Sequence, residues 1–132
     1  MNWQEFNSET RALARKIDFK PDIVIAIVRG GLIPATILAK LLKVADMNVL
    51  CVARNDGVPR ITNDVGDVAR KNILLVEDMI ETGRTLIAGK RYLEESGATV
   101  KTACLYTMPT SEITPDYSLK QVEEAMKFPW NS

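Results

Sequence analysis

In the stretch Asn72-Ile73-Leu74-Leu75-Val76-Glu77-Asp78-Met79-Ile80-Glu81-Thr82-Gly83-Arg84-Thr85-Leu86, an apolar run ends in adjacent carboxylates, a third carboxylate follows, and a Thr-Gly-x-Thr turn opens the next apolar segment. Two neighbouring carboxylates offer oxygens to sugar hydroxyls and to a hydrated Mg²⁺, which takes a few carboxylate oxygens and keeps several waters. Glu81 stands between that pair and the turn, where a carboxylate can act as a general base or take charge off a reacting ring. Thr82-Gly83-Arg84-Thr85 suits a phosphate. Glycine lets the backbone approach a ligand, the helix that follows presents free N–H groups and its positive dipole end, and the threonine hydroxyls add donors. An ordinary helix N-cap explains the turn equally well when it is read alone, and a solvated loop edge is the plain alternative for the acids. Together they point to a sugar phosphate.

Residues of this kind need a frame that brings loop tips together, and the rest of the chain supplies one. Trp3, Phe6, Leu13 and Ile17 recur near helical spacing and predict an amphipathic first helix that ends before Pro21. Asp22-Ile23-Val24-Ile25-Ala26-Ile27-Val28 is continuous and β-branched, the pattern of a parallel strand covered on both faces. A helix is expected after it, with Pro34 in its first turn and Ile37, Leu38, Leu41 and Leu42 on one stripe. Further strands are predicted over 49–52, 73–76 and 100–106, with a helix over 85–96 closed by Gly97 and a short helix over 119–126. Residues 54–71 lack an apolar period and read as a loop with a short hairpin, and Pro109 and Pro115 enclose another loop. The expected architecture is a doubly wound, mainly parallel α/β sheet with helices on both faces, in a single domain over 1–132. In such sheets ligands sit at the carboxyl ends of the strands where the strand order reverses. With the order second, first, third, fourth, the reversal falls between the strands that carry Arg29-Gly30-Gly31 and Glu77 to Thr85.

Composition narrows the classes. The 132 residues, 46% apolar and 26% charged, can bury a core, and 17 acidic residues balance 17 basic ones, so no net field favours a nucleic-acid backbone or an acidic membrane. A small polar ligand is the better default. No apolar run approaches the roughly 20 residues needed to span a bilayer, and Met1-Asn2-Trp3-Gln4-Glu5-Phe6 lacks the pattern of a secretory signal, so a cytoplasmic protein is expected. Cys51 and Cys104 sit in apolar runs and read as buried thiols, and the chain has no histidine, which excludes His-based triads and His metal sites.

The stretch Val76-Glu77-Asp78-Met79-Ile80-Glu81-Thr82-Gly83-Arg84-Thr85 resembles the phosphoribosyl-pyrophosphate (PRPP) loop of type I phosphoribosyltransferases: an apolar run, two acids, two apolar residues, an acid, then Thr-Gly-x-Thr. Ala26-Ile27-Val28-Arg29-Gly30-Gly31-Leu32-Ile33-Pro34-Ala35 is similar to the family's pyrophosphate loop, above all in the xanthine-guanine and hypoxanthine-guanine enzymes. Thr114-Pro115-Asp116-Tyr117 and Phe128-Pro129-Trp130 are similar to the tail of the small purine enzymes, which closes over the base; Trp130 reads equally well as an anchor on the core. The resemblance implies roles. Glu77 and Asp78 hold the ribose hydroxyls and water on Mg²⁺, Thr82, Gly83, Arg84 and Thr85 hold the 5′-phosphate, and Glu81 assists at the base nitrogen. Arg29 meets the pyrophosphate, with Gly30 and Gly31 bringing N–H groups close. A non-proline cis bond, found in the family at this loop, falls here at Val28-Arg29.

The chain also departs from the family. Glu81 stands where aspartate is usual, and Met108 stands where the purine enzymes place a lysine that donates to the 6-oxo group of the base. Methionine cannot make that bond. Where those enzymes stack an aromatic or branched residue on the base, this chain has Ala125-Met126-Lys127; Met126 can pack on a ring, and Lys127 can donate from another direction. The segment Arg54-Asn55-Asp56-Gly57-Val58-Pro59-Arg60 offers cations to a pyrophosphate; Arg60, and Arg70 further along the loop, are weaker candidates that read more readily as solvated loop cations. The resulting expectation is a phosphoribosyltransferase that joins a nitrogenous base, a purine by resemblance, to PRPP with Mg²⁺, as a homodimer or homotetramer. Its rival is a PRPP- or nucleotide-binding regulatory protein that turns over no base.

Overall fold

The computed structural model describes residues 1–131. Helix α1 (Trp3–Lys16) starts where the Asn2 side chain accepts the Glu5 N–H at 2.7 Å, and it ends with Arg15 and Lys16 at its negative dipole end. It buries Phe6, Thr10 and Leu13. Strand β1 (Ile23–Val28) leads into helix α2 (Leu32–Leu41), then into the hairpin of β2 (Met47–Asn55) and β3 (Val58–Ile61). Strands β4 (Asn72–Val76) and β5 (Met79–Ile80) precede helix α3 (Arg84–Glu95), and β6 (Thr99–Ala103), β7 (Tyr106–Thr107) and β8 (Lys120–Gln121) follow it.

The main sheet has the order β3-β2-β1-β4-β6 and is parallel throughout except for the β2–β3 hairpin. Its two faces are both apolar because successive side chains of the central strands point to opposite sides. Val24, Ala26, Leu74 and Val76 join Phe6, Leu13 and Leu38 of α1 and α2 in one core. Ile25, Ile27, Ile73 and Leu75 join Leu86 and Leu93 of α3 in the other. Helices therefore cover both faces, and the chain winds outward in opposite directions from the adjacent pair β1 and β4. That pair is the switch point anticipated from the pattern.

A smaller parallel sheet, β5-β7-β8, projects beyond the carboxyl edge of the main one. The apolar run over 100–106 is accordingly not one strand. It breaks at Cys104 and Leu105, whose N–H groups bond to the Tyr117 and Asp78 carbonyls at 3.0 Å each, and it continues in the second sheet as β7. The helix expected over 119–126 is absent. Leu119 and Val122 instead donate to the carbonyls of Leu105 (3.0 Å) and Thr107 (2.8 Å), so pairing with β7 satisfies the backbone that a helix would have satisfied internally. Leu119, Val122 and Met126 still pack on the core, which is why the spacing looked helical.

Residues 54–71 divide into two parts. Asp56 and Gly57 form the tight turn of the hairpin, and the remainder is strapped to the sheet edge by Asn63, which accepts from Cys51 N–H (2.7 Å) and donates to the Val49 carbonyl (2.9 Å). Val65 and Val68 are buried beneath it. At the other end of the chain, Phe128 stacks on Trp130 with centroids 4.9 Å apart, and Trp130 meets the edge of Phe6 at 4.9 Å. Trp130 thus serves as an anchor on α1. Both cysteines are free thiols, Cys104 buried and Cys51 half-buried. Among the described residues no helix is long and apolar enough to cross a membrane.

Candidate active site

A cleft of about 480 Å³ opens over the carboxyl ends of β1, β2 and β4. The switch point places two loops on either side of it. The first follows β1, where the Val28-Arg29 peptide is cis. Gly30 lies so close to the next loop that a Cβ on it would come within 2.6 Å of Asp78 Oδ2. Only glycine permits this approach. The Gly30 N–H makes no hydrogen bond among the described residues, whereas that of Gly31 is engaged by the Ile27 carbonyl at 2.8 Å. Arg29 is exposed and borders both this cleft and a second cavity that Lys127, Trp130 and Asn131 share.

The second loop follows β4. Glu77 and Asp78 are half-buried at the floor of the cleft. Burial, then the charge of Asp78, push the Glu77 carboxyl up to about 8, opposed by the Asp78 backbone N–H and the positive charge of Arg54. Burial also raises Asp78, opposed chiefly by the Met79 N–H that its Oδ1 accepts at 2.6 Å. A pair held in this way is short of positive charge. Beneath it, burial and the same two carboxylates push the Cys104 thiol upward and keep it an unreactive core group.

Gly83 adopts φ +81°, the left-handed region, and a Cβ there would collide with Ile113. It starts α3 with no side-chain cap. The Arg84 N–H reaches Thr82 Oγ1 at 3.3 Å, while those of Gly83, Thr85 and Leu86 have no partner among the described residues. An uncapped helix start lined by Thr82 and Thr85 is a seat for an anion. The Arg84 side chain points away, pairing with Glu112 at 2.9 Å. Glu81 is exposed on the cleft wall, its carbonyl accepting from the Thr110 hydroxyl at 2.9 Å.

The structure thus brings Arg29, Gly30, Glu77, Asp78, Glu81, Thr82, Gly83, Thr85 and Met126 to one cleft, and Lys127 to the adjoining cavity. It does not bring Met108 there: the Met108 N–H is tied to the Ile80 carbonyl at 2.9 Å on the flank of the small sheet. Arg60 and Arg70 are exposed and outside the cleft. Three contributors were not singled out by the motifs. Met79 and Ile80 read as spacers between acids, yet they line the apolar end together with Ala125, Met126 and Phe128. Arg54 was one loop cation among several, yet it stands at the carboxyl end of β2 and donates to Thr85 Oγ1. The rule that ligands gather at carboxyl strand ends is the signal that finds it.

The family model of the phosphoribosyl transferase domain matches residues 2–132. Among solved structures, a purine phosphoribosyltransferase from Pyrococcus horikoshii superposes with a TM-score of 0.91 at 34% identity, covering 100% of this chain and 92% of that one. A xanthine-guanine-hypoxanthine phosphoribosyltransferase from Helicobacter pylori shares the fold, with a TM-score of 0.86 at 19% identity over 98% of this chain and 91% of that one. A ribose-phosphate pyrophosphokinase from Pasteurella multocida is 38% identical over 87 residues, which is 65% of this chain and 28% of that protein. The match spans 26–28% of the length of that protein and of two further curated ribose-phosphate pyrophosphokinases.

Proposed function

The chain belongs to the phosphoribosyl transferase domain family, and on that premise we propose that it transfers the 5-phosphoribosyl group of PRPP to a nitrogenous base, a purine for preference, releasing pyrophosphate. One observation carries the reading: a single cleft joins an uncapped helix start, a pair of half-buried carboxylates and the Arg29 loop, features that suit a phosphate, a ribose and a pyrophosphate respectively. The relative from Pyrococcus horikoshii, a purine phosphoribosyltransferase by its description, supports purine as the acceptor.

The cleft favours Mg²⁺ by its chemistry. Among the described residues no three acidic, cysteine or histidine side chains converge as a cage, and Glu77 with Asp78 is a pair of hard oxygen donors short of positive charge. That suits an ion that keeps waters and takes the rest of its shell from substrate. Glu77 and Asp78 would hold it, and when bound it offsets charge on the pyrophosphate.

The side chains divide the work as follows. Glu77 and Asp78 orient the ribose hydroxyls. Thr82, Thr85 and the free N–H groups of Gly83, Thr85 and Leu86 fix the 5′-phosphate. As the bond from the anomeric carbon to pyrophosphate breaks, its electron pair leaves with the pyrophosphate oxygen, and Arg29 with the Gly30 N–H stabilises that growing charge. The incoming base nitrogen forms the new bond, and Glu81 accepts the proton it sheds. A cation near the pyrophosphate favours departure, and a carboxylate near the base favours attack.

The rival, a PRPP- or nucleotide-binding regulatory protein, is favoured by the apolar end of the cleft, which Met79, Ile80, Ala125, Met126 and Phe128 line without a cation. Incubation with PRPP, Mg²⁺ and a panel of purine and pyrimidine bases separates the two. Pyrophosphate release with any base supports the transferase; PRPP binding with no release supports the rival. The family resemblance also favours a homodimer or homotetramer, which sedimentation of the pure chain measures.

A further inference from the structure

Three cations border the site and are committed differently. Arg29 stands at the pyrophosphate end. Arg84, inside the phosphate turn, is neutralised by Glu112. Arg54 comes from outside the turn, at the carboxyl end of β2, and donates to Thr85 Oγ1 from Nε at 3.2 Å and from Nη2 at 2.7 Å. It lines the cleft. The turn's own cation is spent elsewhere, and a neighbouring strand replaces it.

The donor count gives this arrangement a direction. A threonine hydroxyl has two acceptor lone pairs and one proton. Arg54 delivers two N–H groups to that oxygen, so the hydrogen bond left for Thr85 to make is as a donor. The other guanidinium N–H groups have no partner among the described residues, and neither do the backbone N–H groups of Gly83, Thr85 and Leu86. The uncommitted backbone N–H groups and guanidinium N–H groups around Thr85 are all donors. The structure assigns Arg54 to the 5′-phosphate of the phosphoribosyl ligand, as a contact that supplies positive charge and holds the Thr85 hydroxyl in its donating orientation. This rests on the PRPP reading above. It also answers a problem of charge: Glu77, Asp78 and Glu81 line a cleft whose ligand, on that reading, is anionic at both ends, and with Arg54 each end has its own arginine.

Calorimetric titration with ribose 5-phosphate, and separately with inorganic pyrophosphate, tests the assignment in the wild type, Arg54→Met and Arg54→Lys. Loss of a charged hydrogen bond predicts ribose 5-phosphate binding weaker by roughly ten- to a hundredfold in Arg54→Met, with partial recovery in Arg54→Lys. Pyrophosphate binding stays within about twofold, because Arg29 holds that end and coupling between separated sites is small. The ³¹P resonance of the bound 5′-phosphate titrates at lower pH in the wild type than in Arg54→Met, a difference that a packing role does not produce. Unchanged ribose 5-phosphate affinity in Arg54→Met overturns the Arg54 assignment and leaves the PRPP reading standing. Equal loss of both ligands overturns it in favour of a structural role. A wild type that binds no ribose 5-phosphate overturns the PRPP reading, and Arg54 with it.

Discussion

The proposed phosphate end of the cleft stands on residues 28–31, 77–78 and 81–85, in the loops that follow two adjacent parallel strands, with Arg54 reaching in from the end of β2. The proposed base end is gathered from three places: Met79 and Ile80 on the small sheet, Ala125 and Met126 in an irregular stretch, and Phe128 in an aromatic cluster fixed to α1. One end takes its geometry from the sheet, where a neighbouring strand sets each position. The other depends on side-chain packing far along the chain. A phosphate needs backbone N–H groups and charge in fixed directions, which a strand-loop-helix unit provides; a flat ring needs apolar walls, which many sequences can build. On this reasoning the first end should tolerate substitution less than the second.

The largest expected effect is at the floor between the two ends. Asp78→Asn keeps the volume beside Gly30 but removes a negative charge. Turnover with PRPP and Mg²⁺ across the base panel should fall by about a thousandfold or more, as the loss of a directly engaged charged group implies. The thermal midpoint should be unchanged or raised, because burial disfavours the charged form of Asp78. Full activity in this variant removes Asp78 from the site.

Next comes a change confined to the base end. Phe128 is buried, stacked on Tyr106 at 6.0 Å and Trp130 at 4.9 Å, and edge-on to Phe6 at 6.4 Å. Phe128→Ala should cost about 3 kcal/mol in chemical denaturation, as buried aromatic truncations do. Pyrophosphate affinity, measured where the variant is still folded, should hold. If pyrophosphate binding falls as steeply as stability, the two ends are not independent and the comparison fails.

A third prediction concerns the acid pair. The folded state raises Glu77 from 4.5 to about 8, so it holds that proton more tightly than the unfolded chain. The stability contributed is fully present below pH 4.5 and is lost as pH rises through about 8. In metal-free buffer, Glu77→Gln should melt higher than the wild type at pH 8.5, and the gap should close on approaching pH 4.5. A gap that stays constant across that range would mean that Glu77 is not held in a charge-poor setting.

Legibility in the sequence follows the same division. The motif of 76–85 and the Arg-Gly-Gly turn are contiguous, so their chemistry and their place at the switch point could both be read from order and spacing. Continuous β-branched runs disclosed the buried parallel strands because burial on both faces leaves no alternation to confuse them. The stretch over 119–126 misled because Leu119, Val122 and Met126 do face the core, while their backbone is claimed by a strand more than ten residues earlier. Met79 and Ile80 were opaque for a related reason: their partner β7 is brought to them only by the fold. Arg54 was readable in principle, as a cation at a strand's carboxyl end, but nothing local told it apart from Arg60.

The smallest expected effect tests whether the base end is open to repair. Met108 is outside the cleft, but its N–H is bonded to the carbonyl of Ile80, which lines the apolar wall, so position 108 begins one strand away from that wall. A lysine side chain is long enough to bring an ammonium over such a gap while its methylenes cover apolar surface. If the base end is merely short of a donor, Met108→Lys should raise kcat/KM with hypoxanthine or guanine by about tenfold, the worth of one charged hydrogen bond to a ring oxygen, and leave adenine unimproved. Equal gains on every base would signal nonspecific charge attraction toward PRPP. No gain on any base would place the acceptor's polar contacts elsewhere, with Lys127 and Asn131 beside the second cavity the next positions to change.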